Sequence, residues 1–285
     1  MITQKIQAYV QLARLDKPIG IFLLLWPTLW ALLIAANGYP DLKIICIFVL
    51  GTVLMRSAGC VMNDLADMRY DGFVARTKNR PLVSNKVTKK EAIYFAVFLS
   101  LIAFALVSMT NWLTIKLSFV ALFLAASYPL TKRFFSLPQA YLGIAFGFGI
   151  PMAFAAIQGE VPTTAWLLLI ANIFWALAYD TEYAMVDRED DLKIGIRSSA
   201  ITFGRYDVFA VMLCYLLTLI FLTFAGLRAG LAYPYYFGVL LAGAVALKHY
   251  QMIQHRTPER CFKAFLGNTW FGFAIFCGLI FCNFV

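Results

Sequence analysis

Long apolar runs separated by short polar breaks dominate the chain. Nine of them, at 19–36, 42–62, 91–110, 112–130, 138–157, 164–184, 207–226, 233–248 and 265–285, come close to the roughly 20 residues that an α-helix needs to cross a bilayer. The pattern predicts an all-α, polytopic membrane protein with nine transmembrane helices and a single domain over residues 1–285. Ahead of the first run, Ile6, Tyr9, Val10 and Ala13 share one helical face, so a helix from Ile2 to Leu15 is expected to lie on the membrane surface. Pro27 and Pro151 fall inside runs, where each removes a backbone hydrogen bond and predicts a kink. Gly143 and Gly147 form a small-residue face that lets another helix come close.

Composition agrees with this reading. The chain is 62% hydrophobic and 14% charged, with a mean hydropathy of +0.76, whereas soluble domains run near 45–50% apolar and about 25% charged. A water-soluble globule is excluded. With the N-terminus in the cytoplasm, 21 Lys and Arg residues fall on the inner side and only Lys43, Lys116 and Arg228 on the outer. That bias predicts a cytoplasmic N-terminus and a periplasmic C-terminus. The formal charge of +9 is then a matter of topology, and no nucleic-acid partner is expected. The basic N-terminal residues superficially resemble a secretory signal, but the apolar stretch is too long and lacks a cleavage site. Without a long Ser- and Arg-rich transit segment, a bacterial inner membrane is expected rather than an organelle. The six cysteines form no CxxC and are read as small apolar residues. His249 and His255, six apart, have no metal-ligand spacing around them. The pattern leaves the oligomeric state open.

The two longest inner segments carry the chemistry. In Asn63-Asp64-Leu65-Ala66-Asp67-Met68-Arg69-Tyr70-Asp71, a helix turning about 100° per residue places Asn63, Asp64, Asp67 and Asp71 on one face. From Asp180 onward the same turn aligns Asp180, Asp187 and Asp191, with Tyr183 and Asp190 flanking the stripe. Asp67 and Asp187 are 120 residues apart, as are Asp71 and Asp191, and an even number of spans separates them, so both clusters emerge on the same side. Stacked carboxylates repel by about 0.2–0.5 kcal/mol per i,i+4 pair, and a charge near hydrocarbon costs about 2.5–3.5 kcal/mol more. Mg²⁺ offsets this, since it takes one or two carboxylates and completes its octahedron with phosphate oxygens and water. Facing clusters would hold Mg²⁺ and a diphosphate between them. Arg76, Lys78 and Arg80 follow the first cluster, and Lys193 and Arg197 the second, within reach of phosphate oxygens.

These residues resemble the UbiA family of intramembrane prenyltransferases. Asn63, Asp64, Asp67 and Asp71 match its NDxxDxxxD signature, continuing into Arg76-Thr77-Lys78-Asn79-Arg80-Pro81-Leu82. Residues 180–191 resemble its second signature and run on into Gly195-Ile196-Arg197-Ser198-Ser199. Arg14-Leu15-Asp16-Lys17-Pro18-Ile19-Gly20 and Leu25-Trp26-Pro27-Thr28-Leu29-Trp30 look like the branch that acts on 4-hydroxybenzoate. Met68 and the Ser84-Asn85 pair depart from the family pattern without touching a proposed ligand. The resemblance implies a nine-helix bundle around a central cavity that opens to lipid, with polyprenyl diphosphate and an aromatic acid as substrates. It implies Mg²⁺ on Asn63, Asp67, Asp187 and Asp191, with Asp64 and Asp71 in support. Asp67, Asp71, Asp187 and Asp191 would be catalytic, and Tyr183 would border the substrates. Arg133, in Tyr128-Pro129-Leu130-Thr131-Lys132-Arg133, is the expected partner of the ring carboxylate, with Arg14 second.

Within the family the resemblance leaves another acceptor open, a naphthoate, homogentisate or a porphyrin, and outside it a transporter is the competing class, because intramembrane carboxylates also mark ion pathways. The acids lie at span ends on one side, however, not at mid-membrane in broken helices.

Overall fold

The structure is a computed structural model that describes residues 2–68, 77–131, 135–195 and 197–282. Twelve α-helices are described: α1 Ile2–Leu12, α2 Ile19–Ala35, α3 Leu42–Asp67, α4 Lys89–Val107, α5 Trp112–Thr131, α6 Pro138–Gly147, α7 Gly149–Gln158, α8 Thr163–Ile194, α9 Ser199–Phe203, α10 Asp207–Arg228, α11 Tyr233–Ile253 and α12 Pro258–Ile280. Seven helical segments are long and apolar enough to cross a membrane, with α6 and α7 together counted as one. The run at 19–36 is also helical, but α2 has 17 residues. The run at 233–248 is α11, whose Lys248, His249, Tyr250 and Gln251 make it more polar.

Helix ends depart from the apolar runs where polar residues continue the helix. The 26 residues of α3 and the 32 of α8 correspond to about 39 and 48 Å at 1.5 Å per residue, against a hydrocarbon core of about 30 Å. Both helices are therefore longer than that core is thick, and their acidic residues lie at their C-terminal ends. Helix α12 begins seven residues before the expected run, with Thr257 at the N-cap position and Pro258 in its first turn. The kink expected at Pro151 is a break: Phe148 separates α6 from α7, and proline has no N–H for the Gly147 carbonyl. Helix α2, by contrast, continues through Pro27.

Helices α6 and α8 touch at the expected small-residue face. A Cβ on Gly143 would stand 2.8 Å from the Ile173 Cα, and the Asn172 side chain donates to the Gly143 carbonyl at 2.9 Å. An aromatic stack joins three helices: Trp30 and Trp175 lie 5.4 Å apart and Trp175 and Phe271 5.3 Å. Below the second acidic cluster, buried Glu182 accepts from Tyr215 at 3.0 Å and from Asn268 at 2.9 Å, with His249 beside Tyr215 at 2.9 Å.

Helix α1 ends at Leu12 and has two faces. Ala8 and Leu12 are buried against Val61, Leu82, Val87, Ala92 and Ala96, and Lys5 pairs with Glu91 at 2.8 Å. Ile6 on the expected apolar face stays 59% exposed. All six cysteines are free thiols; four are buried and Cys46 is exposed.

Candidate active site

The C-terminal ends of α3 and α8 meet at one cavity of about 1820 Å³. Its acidic end is lined by Asn63, Asp64 and Asp67 from α3 and by Asp180, Tyr183, Asp187 and Asp191 from α8. Arg14, Asn79, Arg80 and Arg197 join them. Much of the remaining wall is apolar, with Leu23, Val97, Phe104, Phe119, Phe146, Phe148, Met152 and Phe265 among the lining residues. A charged group at one end and a hydrocarbon chain at the other both find matching surroundings in this space.

Asp64 is the pivot of the first cluster. Its carboxylate is 1% exposed and accepts two hydrogen bonds from Arg14 Nη2, at 2.8 and 3.0 Å, while Arg80 Nη1 lies 3.0 Å from Oδ1. Arg14 follows α1 and holds a left-handed φ of +58°, with Nη1 donating to the Gln11 carbonyl at 2.8 Å. Arg80 is held in a short helical turn, its N–H bonded to the Thr77 carbonyl at 2.9 Å. Asp64 thus orders two of the expected substrate-binding cations. Asn63 and Asp67 line the cavity beside it. Asp71, Arg76 and Arg133 lie outside the described residues.

In the second cluster the helix itself supplies the order. Helix α8 stays regular through Asp191 and ends where Gly195 takes φ +72°, a left-handed cap that glycine adopts without strain. Arg197 then lines the cavity. Lys78 and Lys193 do not line it: Lys193 is 72% exposed and pairs with Asp190 at 3.3 Å.

Arg56 was placed by charge alone among the inner-side residues, yet it lies within α3, eleven residues before Asp67, about 16 Å along the axis. It lines the cavity, donates to Cys60 Sγ at 2.7 Å and sits over the Phe146 ring at 5.5 Å. Among the described residues no carboxylate pairs with it and its Nε has no hydrogen-bond partner. A side chain on Gly20 would strike this guanidinium, so the glycine makes room for it. The signal was present in the sequence: an arginine inside an apolar run, seven residues before Asn63 and hence on the same helical face.

Among the described residues no three His, Cys, Asp or Glu side chains form a metal cage on their own. Mg²⁺ fits such a site because substrate phosphates and waters provide most of its ligands, and Asn63, Asp67, Asp187 and Asp191 bring oxygen donors to one cavity.

Residues 24–277 match the UbiA prenyltransferase family. A relative from Methylobacillus flagellatus named 4-hydroxybenzoate octaprenyltransferase is 63% identical over 279 residues, covering 98% of this chain and 94% of its own. Among solved structures, a UbiA homolog from Aeropyrum pernix K1 superposes with a TM-score of 0.80 at 26% identity, covering 92% of this chain and 96% of its own. A UbiA homolog from Archaeoglobus fulgidus, bound to GPP and Mg²⁺, shares the fold at 17% identity with a TM-score of 0.69, covering 94% of this chain and 99% of its own.

Proposed function

This chain belongs to the UbiA prenyltransferase family, and from that premise we propose that it transfers a polyprenyl group from polyprenyl diphosphate to 4-hydroxybenzoate. The product is 3-polyprenyl-4-hydroxybenzoate, in ubiquinone biosynthesis. One observation carries the reading: a single cavity joins two acidic stripes and a basic rim to apolar walls, in a chain 63% identical to a named 4-hydroxybenzoate octaprenyltransferase. We read the whole chain as one catalytic membrane domain of nine transmembrane helices around that cavity. It sits in the bacterial inner membrane with its N-terminus cytoplasmic and its C-terminus periplasmic.

In this reading Asn63, Asp67, Asp187 and Asp191 would hold Mg²⁺, with Asp64 and Asp71 in support. Bound with the diphosphate, Mg²⁺ supplies positive charge against the negative charge that develops on the leaving group. Arg80 and Arg197, with Arg76, add hydrogen bonds to phosphate oxygens, and Asp64 keeps Arg14 and Arg80 aimed. The carbon–oxygen bond to diphosphate breaks, and the allylic cation is attacked by the ring carbon ortho to the hydroxyl. A proton then leaves that carbon as the ring regains aromaticity. Phe146, Phe148 and Phe265 keep water from the cation, since a dry cavity prevents its hydrolysis.

The ring carboxylate needs a cation: Arg133 remains the candidate read from the sequence, outside the described residues, and to it we add Arg56, half-buried in the cavity wall and without a carboxylate partner among the described residues. A cation kept at this depth is functional by default.

The test is the mass of the lipid formed by the purified protein from polyprenyl diphosphate and an equimolar mixture of 4-hydroxybenzoate, dihydroxynaphthoate and homogentisate. Prenylated 4-hydroxybenzoate is expected, and EDTA should abolish it. A preference for another acceptor would move the assignment within the family, and no prenylated product at all would end it.

A further inference from the structure

A second buried carboxylate with two guanidiniums lies outside the cavity lining. Asp207, the first residue of α10, is fully buried. Arg256 Nε and Nη2 donate to its Oδ1 at 2.9 and 2.7 Å, and Nε reaches Oδ2 at 3.2 Å. Arg188 Nη1 donates to Oδ2 at 3.2 Å. Arg256 Nη2 also donates to the Arg205 carbonyl at 2.8 Å, which fixes the turn that enters α10. Arg256 holds φ +55°, a left-handed conformation unfavourable for a non-glycine residue, so the forked ion pair offsets local strain.

The cluster joins elements that the chemistry needs together. Arg188 directly follows Asp187, and its pairing with Asp207 closes residues 188–207 into a loop that contains Asp191 and Arg197. Inside this loop Ser199 is pinned twice: its hydroxyl meets Thr181 Oγ1 at 2.6 Å, and its N–H donates to Gln139 Oε1 at 3.0 Å. Arg256 ties the same loop to the turn between α11 and α12. Three cavity-lining residues, Asp187, Asp191 and Arg197, therefore lie on or beside a segment whose ends are held by one aspartate.

We propose that Asp207 is a positioning residue for prenyl diphosphate, setting the reach of Asp187, Asp191 and Arg197 through Arg188 and Arg256 without touching substrate itself. This rests on the function proposed above and deepens it. A partner one layer behind metal-binding groups changes affinity by about 10–100-fold when lost, and here the effect falls on the donor rather than on the aromatic acid. A purely architectural lock would weaken both substrates or the fold alike.

The full chain in lipid nanodiscs is the material for the test, with Asp207→Asn, Asp207→Glu and Arg256→Lys. Two measurements matter: steady-state KM for each substrate, and the affinity for geranyl thiodiphosphate with Mg²⁺ read from intrinsic fluorescence, which needs no turnover. In Asp207→Asn the donor KM and the thiodiphosphate Kd should rise about tenfold while the acceptor KM stays near wild type, and Asp207→Glu should recover part of the loss. Donor affinity unchanged while the melting temperature falls, or equal rises in both KM values, overturns the proposal. If Asp207→Asn does not accumulate, Arg256→Lys is judged by the same split, because lysine keeps the charge but loses the fork. A wild type that makes no prenylated product defeats the functional reading instead, so the two failures are distinct.

Discussion

The two acidic segments share spacing but are ordered by opposite means. In the first, helix α3 is described as far as Asp67, and its innermost carboxylate, Asp64, is clamped by arginines that arrive from 50 residues upstream and 16 downstream. In the second, α8 runs unbroken through Asp191 and its carboxylates keep helical register. Its clamp, Asp207 with Arg188 and Arg256, lies outside the acidic stripe. Each clamp includes an arginine with a left-handed φ, Arg14 at +58° and Arg256 at +55°. The first segment is thus a tertiary assembly and the second a secondary-structure element braced from behind. Two stretches of similar composition can meet one ligand while depending on different parts of the chain for their shape.

The largest expected effect tests whether the halves contribute equally to chemistry. Asp67→Asn and Asp187→Asn should each lower kcat/KM by at least about 100-fold, or about 2.7 kcal/mol of transition-state stabilisation. Both variants should remain inserted in the membrane. Steady-state rates with saturating Mg²⁺ decide it, and near-normal turnover in either variant would show that one stripe binds the diphosphate alone.

Stability should separate the halves more sharply than activity does. Asp64→Asn removes the countercharge of two guanidiniums that are 22% and 18% exposed. Breaking a buried pair on one side costs about 3–5 kcal/mol, an upper range here because both arginines keep some contact with water. Thermal unfolding in detergent should show a clear drop, together with a raised donor KM. A melting temperature equal to that of wild type would mean that Arg14 and Arg80 find other partners, and the first segment would no longer count as a tertiary assembly.

Arg56 tests a third kind of ordering, a cation kept for the ligand. Arg56→Met should raise the KM for 4-hydroxybenzoate by an amount equivalent to about 2–5 kcal/mol of charged-pair binding at a desolvated site, with the donor KM little changed. Benzoate and 4-hydroxybenzyl alcohol, tested as competing ligands, locate the lost contact: only the carboxylate-bearing compound should weaken. A larger change in donor KM would assign Arg56 to the diphosphate instead.

The helices were legible in the sequence because a bilayer forces continuous apolar runs, and each of the nine runs is helical over most of its described residues, seven of the helical segments being long and apolar enough to cross a membrane. What the runs hid was where helices continue into water. Asp187 and Asp191 extend α8 without hydrophobicity, and only Gly195 marked its end. The acidic stripes were legible from helical periodicity, and the cavity gathers the described members of both. Arg56 was overlooked although its spacing from Asn63 was there to read, since a count of charges by side ignores where along its run an arginine lies. Asp207 was invisible for another reason: its partners lie 19 and 49 residues away, and nothing local distinguishes it from an ordinary helix-start aspartate.

The smallest predicted effect concerns the lysines that sequence spacing placed at the phosphates. Lys193 is 72% exposed, pairs with Asp190 three residues earlier on the same helix and does not line the cavity. An exposed pair of this kind is worth about 0.2–1 kcal/mol, so Lys193→Ala should change donor KM by no more than a few-fold and stability hardly at all. Lys78→Ala should behave alike, since it too lies off the lining while its neighbour Arg80 is held inward by Asp64. Physically, a lysine is a flexible point charge that costs little to leave in water, whereas the arginine fork is fixed by the carboxylate it grips. Salt makes the test stricter: an outer charge acting at long range on the diphosphate loses its influence as the Debye length falls from about 10 Å at 0.1 M to about 3 Å at 1 M. If donor KM rises tenfold or more in Lys193→Ala and the rise vanishes in high salt, the lysine steers the donor from outside. If the rise survives high salt, the end of α8 folds over the phosphates during turnover, and the second segment would then owe its order to the ligand as much as to its helix.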